Sequence, residues 1–328
     1  GGAGQTARYR EMLDAGQADD AAELMKDGAE SSDILETLHY AYALRCGSHY
    51  MEYTQAFDRA EALFKAAQED QALHEANKFL SAAFINETIT PYTGNLYEFT
   101  LVNAYKGMNF LFEGRPDFAR VEFNRALERQ RRAKEYFNEE LQEEIARIKE
   151  AERSRSQNQS ISALDAARSP GMSRALQQYY SNMDSFAVFA DYTNPFVTYL
   201  AGVFFLLEKD YKKAADILKE AAAMCPNHSA VQADFSDAQA AVRKGKKQTQ
   251  KFVWIFFENG TGPGLEPIGF TIPLFIATNR ALAAPVALPR PTPGVLAVQN
   301  LCVSTEQDSA DTRPVADMTQ VAYTEFKT

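Results

Sequence analysis

Cysteine, tryptophan and histidine are all scarce in this sequence, with three, one and four residues among 328. Cys46, Cys225 and Cys302 lie far apart and match neither CxxC nor metal-ligand spacing. They read as small buried hydrophobes, with a single distant disulfide left open. His39, His49, His74 and His228 are scattered, with no HExxH motif and no GxSxG elbow beside them. A zinc site or an activated Ser or Cys nucleophile would need such clustering. Long apolar runs are missing too. The longest, PFVTYLAGVFFLL from Pro195 to Leu207, falls short of the ~20 residues that span a bilayer and reads as a buried, proline-initiated helix. Positive charge is in deficit: a net charge of −10 and a pI near 5.1 oppose a phosphate backbone, so nucleic acid is excluded as a partner. The local basic cluster Arg129, Arg131, Arg132 and Lys134 is followed by acidic residues on the same helix and reads as a solvated face. The start, GGAGQTARYR, has neither the charged nor the apolar region of a signal peptide, which predicts a cytosolic or already trimmed chain.

What remains is an ordinary folding composition, 45% apolar and 24% charged, in a chain long enough for two domains. An internal repeat organises most of it. Gly202, Phe205, Tyr211, Ala214, Leu218 and Ala221 describe two helices and a turn, closed by Pro226. Small residues at this spacing let two helices approach closely, large ones fill the seam, and proline ends the second helix. The same steps recur at Gly107, Phe110, Pro116, Ala119, Phe123 and Ala126, at Ala41, Leu44, Tyr50, Tyr53, Phe57 and Ala60, and at Tyr9, Met12, Ala18, Ala21, Met25 and Gly28. This pattern resembles the tetratricopeptide (TPR) repeat. The copies begin about 32, 66 and 95 residues apart, against ~34 in a regular array, so insertions interrupt the solenoid.

The first insertion, from about Glu69 to Thr100, ends in the loop-like PYTGNLYEFT. The second begins with one long amphipathic helix over about 117–153, supported by pairs such as Glu128 with Arg132 and Glu143 with Arg147. A Ser/Gln-rich stretch over about 154–171 predicts a mobile loop, and MSRALQQYYSNMDSFAVFADY returns to helix. After about residue 245 the period changes. FVWIFFENG, EPIGFTIPLFI, APVALP, GVLAVQNLCV and MTQVAYTEF read as short strands between Gly, Pro and Asn turns. The predicted fold is therefore mainly α with a small β unit: an α-hairpin solenoid over 1–245 and an antiparallel β domain over 250–328, packed on the repeats.

The turn ENGTGPG, with Asn259, Gly260, Gly262 and Pro263, could be a phosphate cradle, a glycosylation sequon or a bend. A phosphate loop needs a following helix, whereas Gly264 leads into Leu265 and further prolines. The sequon Asn259-Gly260-Thr261 fits formally. An Asn-Gly step between apolar runs predicts a wide hairpin loop joining the two units.

The strings PYTGNLYEFTLVNAYKGMNFLFEG, ARVEFNRALERQRRAKEYF, YTNPFVTYLAGVF and VWIFFENGTGPGLEP resemble a family of Gram-negative bacterial envelope lipoproteins with TPR-like repeats and a C-terminal FENG-x-GP segment. The resemblance runs in the same order over most of residues 35–327. It implies an acylated N-terminal cysteine, a place on the periplasmic side of the outer membrane, and other envelope proteins or peptides as partners. The lipid-accepting cysteine is absent here, and GGAGQ fits a mature chain whose first residue is replaced. Membrane attachment is then expected only through that lost anchor.

Three functions follow as expectations. The first is a non-catalytic scaffold whose repeats grip a peptide or partner protein, needing no cofactor or metal. The second is a structural protein that multimerises through the long helix. The third is a cell-wall or glycan-binding regulator or enzyme, using the aromatic and amide side chains of Tyr92, Asn95, Tyr97, Glu98, Asn103 and Tyr105 as a groove.

Overall fold

The structure, a computed structural model, describes residues 3–75, 92–155, 193–244, 253–276, 280–299, 301–304, 306 and 309–326. The expected loop at 156–171, the helical return at 172–192 and most of the first insertion lie outside the described residues. Two compact units divide the chain, residues 1–129 and 130–328. The division falls inside the long helix, not at the composition change near residue 245.

The first unit contains helices α1 (Ala3–Asp14), α2 (Ala18–Glu30), α3 (Ile34–Cys46), α4 (Tyr50–Glu75), α5 (Leu96–Phe112) and the start of α6 (Pro116–Arg155). Local chemistry sets their ends. The Asp33 carboxylate accepts from the Glu36 N–H (2.9 Å) at the head of α3, and Pro116 opens α6, where an N–H has no intrahelical partner. The second unit holds the rest of α6, then α7 (Pro195–Leu207), α8 (Tyr211–Met224), α9 (Ser229–Lys244) and a C-terminal α10 (Met318–Phe326).

The four hairpin turns close in one way. Backbone N–H groups of Gln17, His49, Arg115 and Asp210 donate to the carbonyls of Met12, Leu44, Phe110 and Phe205, at 2.8, 2.9, 2.7 and 2.9 Å. In each turn a second bond runs from a residue in the left-handed region: Gly16, Ser48, Gly114 and Lys209, with φ of 73°, 62°, 70° and 63°. This is the usual end of a helix in which a left-handed residue satisfies the last carbonyls. The acceptor in every case is the second residue of a repeat copy, so the sequence register is also a structural register. The small residues sit at close approaches. A Cβ on Gly107 would lie 2.8 Å from the Phe123 ring, and one on Gly202 would lie 2.6 Å from Leu218. Ala119, Phe123 and Ala126 are buried in the first unit, and Phe205, Ala214, Leu218 and Ala221 in the second, while Tyr211 is half-buried.

The described residues contain no multi-stranded β domain. They hold two separate antiparallel ribbons: β1 (Gly264–Ile276) with β2 (Arg280–Thr292), and the three-residue β3 (Cys302–Ser304) with β4 (Ser309–Asp311). Only EPIGFTIPLFI and APVALP among the expected strands pair along their length. MTQVAYTEF is helix α10. Its β-branched residues suggest a strand, but the Asp317 carboxylate caps the Thr319 N–H (2.8 Å), and Thr319, Val321, Tyr323 and Thr324 are buried at helical spacing. Capping and packing outweigh a propensity worth tenths of a kcal/mol.

FVWIFFENG is not a paired strand either, and Asn259 does not head a hairpin. Residues 259–261 instead lie along 295–298: the Thr261 N–H donates to Val295 O (2.9 Å), while the Asn259 side chain accepts from the N–H groups of Ala297 and Val298 (both 3.1 Å) and donates to Val298 O (2.8 Å). Gly260 (φ 83°) is tight against this partner, since a Cβ would come within 1.8 Å of Val295 O. Gly262 and Pro263 complete the lead into β1. With its amide fully engaged, Asn259 is a structural clasp.

The cysteines also differ from the expectation. None of the three forms a disulfide among the described residues; Cys46 and Cys302 are exposed, and Cys225 is half-buried with its thiol directed at Val315 O (3.4 Å). Cys46 is the last residue of α3 and Cys302 begins a short ribbon, so neither reaches a core.

Candidate functional site

The groove expected from Tyr92 to Tyr105 does not exist as one site. The six residues separate into three structural tasks, all in the first unit. Tyr92, Asn95 and Glu98 lock the head of α5: the Glu98 carboxylate accepts from the Tyr92 hydroxyl and from the Asn95 N–H (2.9 Å), and the Asn95 amide donates to Tyr92 (2.9 Å). Burial raises the Glu98 carboxyl above its ordinary value despite these bonds, to which Tyr97 adds another. Phe99 then stacks on Phe64 with ring centroids 3.8 Å apart. Tyr105 lies under the Arg45 guanidinium at 4.3 Å and beside Phe57, while its carbonyl accepts from Tyr53 (3.0 Å). Asn103 belongs to a buried polar cluster.

That cluster joins α4, α5 and α6. Lys106, only 1% exposed, is 2.6 Å from Asp58, 2.5 Å from Glu61 and 3.4 Å from Glu122. Arg129 reaches Glu61 at 2.6 Å and the Phe99 carbonyl at 3.0 Å, and Arg125 reaches Glu122 at 2.7 Å. The Asn103 amide bridges Glu61 (3.0 Å) and Glu122 (2.7 Å). Burial works against the Lys106 charge, but Glu61, Glu122 and Asp58 outweigh it and hold the ammonium above its ordinary value. For Glu61, burial is overcome by Lys106 and Arg129, and the carboxyl lies below its usual range. Both shifts favour the ionised forms of Lys106 and Glu61 at neutral pH. One signal was in the sequence: Asn103, Lys106 and Asn109 interrupt an otherwise apolar helix at three-residue steps.

Beside this cluster opens a cleft of about 500 Å³. Met51, Thr54, Gln55 and Asp58 of α4, Phe118, Val121, Glu122 and Arg125 of α6, and Phe110 of α5 with Glu113 just after it line the cleft. Its apolar groups face solvent: Met51, Phe118 and Val121 are 68%, 51% and 47% exposed. Arg115 lies over the rings of Phe118 (4.1 Å) and Phe110 (4.9 Å) and pairs with Glu113 (3.0 Å). Large apolar side chains rimmed by charges of both signs suit a protein or peptide surface. No sequence motif marks these positions, because the helix pattern cannot tell a solvent-facing Phe118 from a core one.

In the second unit a helical face is already covered. Tyr199 of α7 donates to Asp234 of α9 (2.6 Å), and the Trp254 indole donates to the same carboxylate oxygen (2.9 Å). Phe256 packs on Phe196 and Tyr199, with centroids 5.9 and 5.8 Å away. Burial raises the Asp234 carboxyl and, with the Asp234 bond, the Tyr199 hydroxyl. Two histidines have structural partners: His228 Nδ1 accepts from the Val231 N–H and Nε2 faces Arg313 O (3.2 Å), and exposed His49 meets Asp19 at 2.7 Å. Among the described residues, no group of three His, Cys, Asp or Glu is arranged to hold a metal, and no helix is long and apolar enough to cross a membrane.

No protein-family model and no curated protein matches the chain. It is similar to two solved structures of a Podosopora anserina chain described as a kinesin light chain with nearly identical TPR-like repeats. These share 10% and 9% identity, cover 74% of this chain and 87% of theirs, and each has a TM-score of 0.37. It is also similar to the TPR2AB domain of yeast Sti1 in complex with pHSP90, at 15% identity over 73% of this chain and 83% of that one, with a TM-score of 0.28.

Proposed function

We propose that the protein is a non-catalytic scaffold of the bacterial cell envelope that binds a peptide or a partner protein in the cleft between α4 and α6. The observation that carries this reading is the cleft itself. It leaves Met51, Phe118 and Val121 in solvent at a concave site whose lining residues Asp58 and Glu122 are held by ion pairs to the buried Lys106. Interaction sites expose apolar anchors within a polar rim, and a rigid floor lowers the ordering needed on binding. Placement on the periplasmic side of the outer membrane, with a lipid on the mature N-terminus, rests on the resemblance of PYTGNLYEFT and FFENGTGPGLEP to envelope lipoproteins.

The test is site-specific photocrosslinking in envelope fractions, with benzoylphenylalanine replacing Val121 or, as a control, the exposed Val242 of α9. A discrete protein adduct from position 121 that is absent at 242 and lost on adding Phe118→Asp is the expected outcome. Equal labelling at both positions, or none at 121, would overturn the assignment of the cleft.

A further inference from the structure

Residues 253–257 lie outside any helix or paired strand, and their side chains alternate as those of an extended chain do. Trp254 and Phe256 are half-buried, whereas Val253, Ile255 and Phe257 are 86%, 55% and 47% exposed. Among the described residues, no backbone hydrogen bond holds Val253, Ile255, Phe256 or Phe257. The anchors are side chains. The Trp254 indole donates to Asp234 of α9, and the Phe256 ring packs edge-on against Phe196 and tilted against Tyr199 of α7.

The surface beneath does not depend on this segment for its shape. Asp234 Oδ2 also accepts from the Tyr199 hydroxyl (2.6 Å), so a bond between the two helices orients the carboxylate whether or not an indole is present. Both helices are held from behind: Gly202 of α7 lies against Leu218 of α8, and Val231 and Ala238 of α9 are fully buried. A segment held by side chains alone opens at a far lower free energy than the packed helices under it unfold. Opening leaves two aromatic rings and a buried carboxylate in want of a second donor, a combination that favours prompt recapture of a similar segment.

We propose that the face formed by Phe196, Tyr199 and Asp234 is a peptide-binding site for extended segments in which an aromatic N–H or O–H donor precedes a second aromatic ring by two residues. Residues 253–257 are its built-in occupant, which a partner carrying such a segment displaces. The resident residues define the ligand: Asp234 reads the donor at the first position, and the rings of Phe196 and Tyr199 read the third. Eight intervening residues separate the segment from Lys244, the end of α9. A tether that short gives the resident segment an effective concentration of roughly millimolar, so the intact chain is closed to weak ligands. This site is independent of the cleft between α4 and α6 and of the function assigned to it.

The test adds a synthetic peptide of residues 246–258, whose three lysines keep it soluble, to the full chain. The anisotropy of a fluorescein on the peptide follows binding to the wild type, to Trp254→Phe and to the double variant Trp254→Ala/Phe256→Ala. The double variant should bind saturably and at least about tenfold more tightly than the wild type, with Trp254→Phe between them. Because Trp254 is the sole tryptophan, the peptide carries the only indole in mixtures with either variant. The emission of that indole, read with unlabelled peptide, should shift to the blue on binding. Adding Asp234→Ala to the double variant should weaken binding about tenfold, and a peptide with alanine at positions 254 and 256 should not bind. Helical circular dichroism checks that the variants fold, and Trp254→Phe carries the comparison alone if the double variant does not. Three results would each overturn the proposal: no saturable binding to a folded variant, equal affinity for wild type and variants, or equal binding of the alanine peptide, which is adsorption without recognition.

Discussion

In residues 1–129 the cleft leaves Met51, Phe118 and Val121 open, whereas in residues 193–244 the face between Tyr199 and Asp234 is filled by Trp254 and Phe256 from the same chain. The surfaces are not equivalent: the cleft lies on the second helices of successive hairpins, and the covered face on the first helix of one hairpin and the helix after it. Their interiors differ too. The first is braced by Lys106 among three carboxylates, the second by neutral aromatic and hydroxyl groups converging on one carboxylate. The difference teaches that one repeat pattern can be finished in two ways. Where the chain supplies its own aromatic segment, the helical face becomes core; where it does not, the face remains a surface.

The largest effect expected from breaking this comparison is on the first unit. Lys106→Met removes the buried cation shared by Asp58, Glu61 and Glu122, leaving Glu61 to Arg129 and Glu122 to Arg125, and should cost about 3 kcal/mol in urea unfolding, because truncating one partner of a buried ionic cluster leaves charge only partly compensated. The pair's net worth is smaller than that figure. Next is pH. His39, stacked on Tyr9 at 4.7 Å, is pushed down to about 4 by burial and then by Arg10, with Asp33 opposing. A base with a lowered folded value favours the neutral form, so its contribution is full above the unfolded value near 6.5 and is lost as pH falls toward about 4. Unfolding titrations should show a loss of about 3 kcal/mol across that window, and His39→Gln should flatten it.

The second unit answers to a different substitution. Asp234→Ala leaves the Tyr199 hydroxyl and the Trp254 indole without their acceptor and should cost about 2–3 kcal/mol. Emission from Trp254, the sole tryptophan, should move to the red as the segment loosens, while Asp234→Asn should retain most of both. A common perturbation then tests what the regions share. Gly107→Ala and Gly202→Ala each push a methyl into Phe123 or Leu218 and should cost about 1–3 kcal/mol in either unit. The smallest change in stability, within about 0.5 kcal/mol, is expected for Phe118→Asp. Its effect should appear instead in binding, which separates surface from core.

Much of the helical architecture was legible because it is written twice, in hydrophobic period and in small residues at close contacts. Gly107 and Gly202 are visible as glycines in helical stretches, and each meets a large residue of the paired helix. The hairpin turns were less visible: Gly16 and Gly114 announce a left-handed turn, but Ser48 and Lys209 occupy the same conformation with no such signal. The candidate site was read from composition alone. Tyr92, Asn95 and Glu98 do form hydrogen bonds, but to one another, since a capping network draws on the same side chains as a ligand groove. At the C-terminal end alternation was mistaken for pairing. Trp254 and Phe256 alternate with Val253, Ile255 and Phe257 because one side faces helices and the other solvent.

By itself the sequence determined the repeated α-hairpins and their register, since the spacing of Ala, Gly and aromatic residues along a helix fixes which face must be buried. It also determined the long helix from Pro116, whose run holds no glycine or further proline to end it. Tertiary structure decided which faces stayed open. Covering the Tyr199 face depends on a segment far along the chain, and the Lys106 cluster depends on carboxylates from two other helices. Period encodes a residue's direction on its own element, while its partner is chosen by the packing of distant elements.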